Sequence, residues 1–414
     1  MIYQHQQKII KENKLLTGLW LGCGGGKTRI ALLLARGKTL VICPKTIRDE
    51  KVWEKELEKL GLEINLLVIS KEFFRKYYDS PLLSNFNTVI ADEIHTLAGA
   101  IPNVRYVNKQ PIPKTSQLFD ALSGYLKKNN PERFYALSAT PIRSPMVVWA
   151  IAKLLGESFD FYQWRQKFYI KLPMPGRDVW VPKKDDETKD TLAKIVQKLG
   201  YVGQLSDWFD MPDINYKTHY VELTIEQKKA LKEVVLDFPD PLVQCGKRHQ
   251  IENGVLAGDE FNKPEAFKNE KIDKILDYSI EFPRFIIWAR YTAQIEAIRL
   301  AIESTGKKVL VLQGATKNRQ EVLDEARNSK ECVLICQSQL SMGWELPEYD
   351  VMVFASLDYS IVNKIQSDGR ILRANALGNK KLYITLVAKG GVDEAVYKSI
   401  LNKKDFSERI YLNL

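Results

Sequence analysis

Leu19-Trp20-Leu21-Gly22-Cys23-Gly24-Gly25-Gly26-Lys27-Thr28 is the stretch that decides the fold: an apolar run passes into a glycine-rich turn and then, from Arg29 to Ala35, into a helical pattern. Consecutive glycines let backbone N–H groups close around a phosphate. The lysine reaches terminal phosphates, the threonine hydroxyl suits magnesium, and the helix N-terminus adds its dipole. Gly24, Gly25, Gly26, Lys27 and Thr28 are therefore candidate nucleotide-binding positions, with Thr28 also a candidate metal ligand. The strict GxxxxGK[ST] pattern asks for glycine where this chain has Leu21, so the match is to the GKT end alone.

Working outward, short apolar runs alternate with amphipathic stretches, which is the rhythm of parallel α/β architecture. Thr39 to Cys43, Asn65 to Ile69, Thr88 to Ala91 and Phe134 to Leu137 read as buried strands. The rhythm returns at Phe285 to Ala289, Lys308 to Leu312, Cys332 to Cys336, Val351 to Ala355 and Leu382 to Val387. The expectation is two α/β lobes, residues 1–145 and 271–414, with a mainly helical insertion and linker at 146–270, where aromatics and charge are dense and no strand rhythm is evident. Ile101 to Lys114, with three prolines and three basic residues, reads as a loop.

The run Thr88-Val89-Ile90-Ala91 ends in Asp92-Glu93-Ile94-His95. Carboxylates at the C-terminal end of a parallel strand fall beside a phosphate loop on a neighbouring strand. There Asp92 can hold magnesium and Glu93 can orient or deprotonate water.

The chain has 414 residues, of which 45% are hydrophobic and 27% charged, proportions that exclude a disordered tail, a collagen or a rod. Lys and Arg number 61 against 51 Asp and Glu, a net +10 that suits a polyanionic partner. The five cysteines, Cys23, Cys43, Cys245, Cys332 and Cys336, show no CxxC pair, and four histidines leave few zinc ligands. No signal-peptide run or apolar stretch of about 20 residues is present, so a cytoplasmic protein is expected, with the nucleus as the alternative. Pro212-Asp213 and Pro239-Asp240 superficially resemble the start of a nuclease core. No downstream carboxylate-x-lysine set accompanies them, and they read as turns.

The order of these motifs resembles superfamily 2 helicases, with Asp92-Glu93-Ile94-His95 similar to the DEAH box. Tyr3-Gln4 resembles the adenine-reading Q motif, Cys43-Pro44-Lys45-Thr46 with Trp53 motif Ia, and Ser138-Ala139-Thr140-Pro141 motif III. Gln366-Ser367-Asp368-Gly369-Arg370-Ile371-Leu372-Arg373 resembles motif VI, and Gln337 to Gly343 takes the place of motif V. Within the superfamily, the Pro44 to Trp53 segment, Tyr220 to Gln227 and Lys389 to Glu394 resemble Swi/Snf-type ATPases. Ser341-Met342-Gly343-Trp344-Glu345 departs from that group's glycine-rich turn and asparagine.

The resemblance implies two RecA-like lobes using ATP and magnesium. Gln4 and Gly343 would join the nucleotide site, and Arg370 and Arg373 would act as arginine fingers. Ser138, Thr140 and Gln366 would couple hydrolysis to movement. Lys45, Thr46, Lys71, Gln313, Thr316 and Gln337 are the candidate nucleic-acid contacts, with Arg105, Lys109 and Lys114 a further set; Trp288 reads as core. The implied function is an ATP-driven monomeric translocase on duplex or branched DNA, serving replication, recombination, branch migration or remodelling of protein–DNA complexes, with room for a recruiting protein. The alternatives are a strand-separating DNA or RNA helicase and a non-enzymatic nucleic-acid-binding scaffold with a degenerate nucleotide site.

Overall fold

The computed structural model describes residues 2–107, 110–174, 177–258, 264–340, 343–372 and 380–402. The chain divides into two units, Met1–Phe209 and Asp210–Leu414.

The first unit is built on a six-stranded, wholly parallel sheet. Its strands are β1 (Leu16–Leu21), β2 (Thr39–Cys43), β3 (Leu66–Ser70), β4 (Thr88–Ala91), β7 (Arg133–Leu137) and β10 (Gly200–Gly203), in the order β10-β1-β7-β4-β2-β3. Both faces are covered, which is why the strands read as continuous apolar runs. Side chains of alternating parity feed two cores: Trp20, Leu40, Ile42, Val89 and Phe134 on one face, Leu19, Leu21, Val41, Ile90 and Tyr135 on the other. The strand order decides where the chemistry sits. β7 lies between β1 and β4, so the chain leaving β7 emerges between the glycine loop after β1 and the carboxylates after β4.

Two antiparallel hairpins complete this unit: β5 (Ala100–Val107) with β6 (Gln110–Thr115), and β8 (Tyr169–Met174) with β9 (Arg177–Pro182). The first corrects the loop reading of Ile101 to Lys114. Its prolines are tolerated because Pro102, Pro111 and Pro113 sit in an isolated ribbon whose strands have no second neighbour.

The second unit repeats the architecture. β11 (Ile214–Val221), the short pair β12 (Val255–Leu256) and β13 (Glu265–Ala266), β14 (Arg284–Ala289), β15 (Val309–Leu312), β16 (Cys332–Gln337), β17 (Val351–Phe354) and β18 (Lys381–Ala388) follow in the chain. The parallel sheet runs β11-β18-β17-β14-β16-β15. Ile286, Trp288, Leu334 and Met352 face one core, and Phe285, Ile287, Val333 and Val353 the other. Trp288 is fully buried and stacks on buried Trp344, with ring centroids 5.6 Å apart, so both are core residues and not base platforms. Cys332 and Cys336 are buried on β16, as the apolar run between them implied.

The segment 146–270, read as mainly helical, does carry helices from Pro145–Leu154 to Pro241–Glu252. It also supplies β8 to β13, and two of those strands are sheet edges: β10 pairs with β1, and β11 pairs with β18 along eight residues. Among the described residues no helix is long and apolar enough to cross a membrane.

Candidate active site

Every feature of the first unit's site follows from the C-terminal ends of β1, β7 and β4. After β1 the loop turns on Gly24 (φ 83°) and Gly26 (φ 79°), left-handed conformations that side-chain-bearing residues rarely adopt, and Gly26 caps the helix Lys27–Leu34. A Cβ at Gly25 would stand 2.9 Å from Leu21 Cβ, so the close turn requires glycine. The Lys27 ammonium donates to the carbonyls of Leu21 (2.8 Å) and Gly22 (3.3 Å), which holds it over the mouth of the loop.

After β4, Asp92 is buried, and its backbone N–H donates to Ile42 O. Its carboxylate accepts from the Trp53 indole N–H at 3.3 Å and from the Glu93 backbone N–H at 3.0 Å. Burial raises the Asp92 pKa, and the charge of Lys27 opposes that shift. Glu93 takes up a left-handed backbone (φ 50°, ψ 51°), a conformation that costs about 1–3 kcal/mol in a non-glycine residue and clusters at functional sites.

His95 then ties the carboxylates to β7. Its Nδ1 lies 3.3 Å from Glu93 Oε2 and is hydrogen-bonded to Ser138 Oγ at 2.9 Å; Ser138 Oγ in turn accepts from the Thr140 backbone N–H at 3.0 Å. Burial first, then the charges of Arg143 and Lys71, lower the His95 pKa to about 3. The ring is therefore neutral at physiological pH, and its contact with Glu93 is a polar contact and not an ion pair. His95, Ser138 and Thr140 are thus linked by hydrogen bonds beyond the ends of β4 and β7, with Glu93 in polar contact with His95.

Asp92 and Thr28 are the donor types that suit a magnesium ion bound with a nucleotide: a buried acidic strand end and a hydroxyl in the first turn of the helix that leaves the glycine loop. The ion, when bound, would supply charge neutralisation for phosphate oxygens.

Gln4 does not join the group. It is exposed on the helix Gln4–Glu12, whereas Gln6, one turn-face inward with Ile9, is buried against the loop; a Cβ on Gly26 would meet Gln6 Nε2. Gln6 Oε1 accepts from the Tyr3 backbone N–H. The i, i+3 spacing of Gln6 and Ile9 was the available signal. His5 was also missed: its Nε2 contacts Gly25 O at 3.2 Å and its ring stacks on Trp208 at 3.8 Å. The Trp53 indole holds the Asp92 carboxylate, a contact that its place in the motif Ia segment does not announce.

Lys45 and Thr46 open the short helix that follows β2, and Lys71 opens the helix after β3, so all three stand at the same edge of the sheet as the loop. In the second unit, Gln313, Thr316 and Gln337 gather at the ends of adjacent β15 and β16. Gly314 N–H donates to Gln337 Oε1 and Gln313 N–H to Thr316 Oγ1, each at 3.0 Å. Gly343 is left-handed (φ 89°). Gln366 is buried in the helix Ile361–Asp368, and its carbonyl accepts from Arg370 Nε at 2.8 Å. Arg370 follows that helix, is itself buried and also donates to Trp344 O, so it is no surface helix charge. Arg373 and Lys109 lie outside the described residues.

Comparison with known proteins bears on this geometry. Residues 268–375 match the family described as the helicase conserved C-terminal domain. A stretch of 239 residues is 23% identical to a Methanocaldococcus jannaschii protein that bears the name of an ATP-dependent RNA helicase; it takes in 56% of this chain and spans only 29% of the relative's length. The crystal structure of the Pyrococcus furiosus Hef helicase domain is similar in fold, with a TM-score of 0.53 at 15% identity, over 96% of this chain and 98% of that one. The matched domain and the named relative are both of the helicase type, and the likeness to the solved structure is one of fold.

Proposed function

We propose that the protein is a nucleic-acid-dependent ATPase of the helicase type that travels along double-stranded DNA without net strand separation. The observation that carries the reading is the relay from Glu93 through His95 to Ser138 and Thr140. A residue positioned to activate water is wired to the segment leaving β7, which is what coupling of hydrolysis to movement requires.

In this reading the glycine loop and Lys27 bind the phosphates, Gln6 approaches from the N-terminal helix, and Thr28 and Asp92 would hold magnesium. Glu93 accepts a proton from the attacking water. Arg370 and Arg373 act as arginine fingers, and Lys45, Thr46, Lys71, Gln313, Thr316 and Gln337 grip the polynucleotide backbone. The duplex preference draws on the Swi/Snf-type resemblance of the sequence. A strand-separating helicase is the second reading, favoured by the helicase names of both relatives.

The test is ATP turnover at one fixed salt concentration with no nucleic acid, duplex DNA, single-stranded DNA and duplex RNA, with Lys27→Ala as the inactive control. Strongest stimulation by duplex DNA, without release of a strand from a forked substrate, is expected. Stimulation mainly by single strands or RNA transfers the reading to a helicase. Failure to hydrolyse ATP under every condition refutes an enzyme altogether.

A further inference from the structure

The hairpin β5–β6 lies between the DEAH-like box and the helix that leads into β7, the strand that Ser138 follows. Ala100 begins β5 four residues after the short 3-10 turn Ile94–Thr96 that carries His95. The hairpin closes where Ser116 N–H donates to Gly99 O at 2.8 Å, and Ser116 caps the helix Gln117–Asn129 that leads into β7. The ribbon is braced on two sides. Asp120 of that helix pairs with Arg105 (2.7 Å) and accepts from Thr115 Oγ1 (2.5 Å). From the helix Phe161–Phe168, Arg165 donates to Pro102 O at 3.1 Å while lying 4.0 Å over the Trp180 ring of the second hairpin, and Tyr162 OH donates to Pro111 O. Tyr106, near the turn of the ribbon, retains 72% of its surface, and Lys114, which pairs with Ile101 near the base, is exposed as well. Residues 100–115 hold three basic side chains and no acidic one.

We propose that this hairpin is a binding site for the backbone of duplex DNA, and that occupancy of it is transmitted to Glu93 through the rigid connections at Gly99 and Ser116. The inference rests on the nucleic-acid-dependent reading above and names a contact that reading lacks. A two-stranded ribbon is an element that the major groove of a duplex admits, the exposed Lys114 ammonium suits phosphate, and an exposed tyrosine supplies a flat face for sugar or base. Lys114 meets phosphate, and Tyr106 packs in the groove.

The experiment compares the wild type with Tyr106→Ala/Lys114→Ala, using a fluorescent duplex, the same sequence single-stranded, and duplex RNA. Anisotropy is read at several salt concentrations, alongside ATP turnover with and without duplex. The expected result is about a tenfold loss of duplex affinity and a salt slope lowered by about one. Stimulation should be lost at a duplex concentration that saturates the wild type, with DNA-free turnover and melting temperature unchanged. Tyr106→Phe/Lys114→Arg should restore binding. Unchanged duplex affinity and slope in a variant of a wild type that does bind duplex overturns the hairpin assignment alone, as does a loss confined to single strands or RNA. A wild type that neither binds nor responds to any nucleic acid overturns the function first and this inference with it.

Discussion

Lys271→Met should unfold the second unit far more readily than its position, remote in sequence from every motif, would suggest. The ammonium is 1% exposed and donates to Asn253 Oδ1 (2.6 Å), Ala355 O (2.8 Å) and Asp393 Oδ2 (2.8 Å). It joins the helix Glu270–Glu281 to the end of β17 and to the helix Val392–Leu401. Burial alone would push the Asp393 carboxyl up, but the Lys271 charge and the His249 hydrogen bond override it and hold the pKa well below the usual carboxylate range. Methionine fills the same volume and removes the charge, leaving a buried carboxylate with no cation but neutral donors. Breaking a buried pair in this way costs about 3–5 kcal/mol, or about 6–20 °C in melting temperature for a unit of this size. The sign with pH is specific. A depressed folded pKa contributes stability that is present above the unfolded value, near 4, and lost as pH falls through the folded one. In the variant burial dominates and the carboxyl is raised instead, so the deficit against wild type should be full at pH 7 and shrink towards pH 4. Calorimetry together with amide exchange of β14, β16 and β17 reads this, and Lys271→Met/Asp393→Asn should recover much of the loss. A deficit under about 1 kcal/mol, or one independent of pH, would refute the assignment of Lys271 as the partner that makes the buried charge tolerable.

Glu93→Gln should retain ATP binding and lower turnover by at least about a hundredfold; loss of binding in a filter assay would instead make Glu93 structural. Ser138→Ala removes the hydroxyl that joins His95 to Thr140 and should reduce nucleic-acid-stimulated turnover by about tenfold, the worth of one hydrogen bond, while basal turnover changes less; equal losses would count against a relay. Arg370→Ala should lower the rate more than ATP affinity, and it should also lower the melting temperature, because the side chain is buried against Gln366 and Trp344 carbonyls. Burial raises the Glu252 pKa to about 7, so its share of stability is present below the unfolded value, near 4.3, and lost as pH rises through about 7. Glu252→Gln should flatten that decline in urea titrations between pH 5 and 8, and an unchanged profile would sink the assignment.

The parallel sheets were legible because strands buried on both faces leave an unbroken apolar run, and every run named from Thr39 to Val387 became a strand. The glycine loop and the acidic strand end were legible because their chemistry is local in sequence. Two of the four edge strands were not: β10 (Gly200–Gly203) is four residues long and begins and ends in glycine, β11 (Ile214–Val221) interleaves polar residues and is largely half-exposed or exposed, and their pairing with β1 and β18 makes them strands. The hairpin at 100–115 was hidden by its prolines, which exclude a central strand but not a ribbon without a second neighbour. Gln4 and Gln6 stand two positions apart on their helix, about 200° around its axis, and the motif alone does not say which one the helix buries.

The buried polar groups explain why the site reads so plainly while its coupling does not. Asp92 and Glu93 announce themselves as carboxylates at a strand end, but what each can do depends on Trp53, 39 positions earlier than Asp92, and on Ser138, 43 positions later than His95. Neither partner carries a charge, and neither spacing has a period, so no pattern marks them. Their burial makes the contacts consequential: an indole N–H or a hydroxyl excluded from water has no other partner to exchange with. In the reading proposed above, control of Glu93 runs through these neutral groups at the end of β7: a change in the segment after Leu137 would reach the carboxylate by moving Ser138 and His95, without any change of charge at the site.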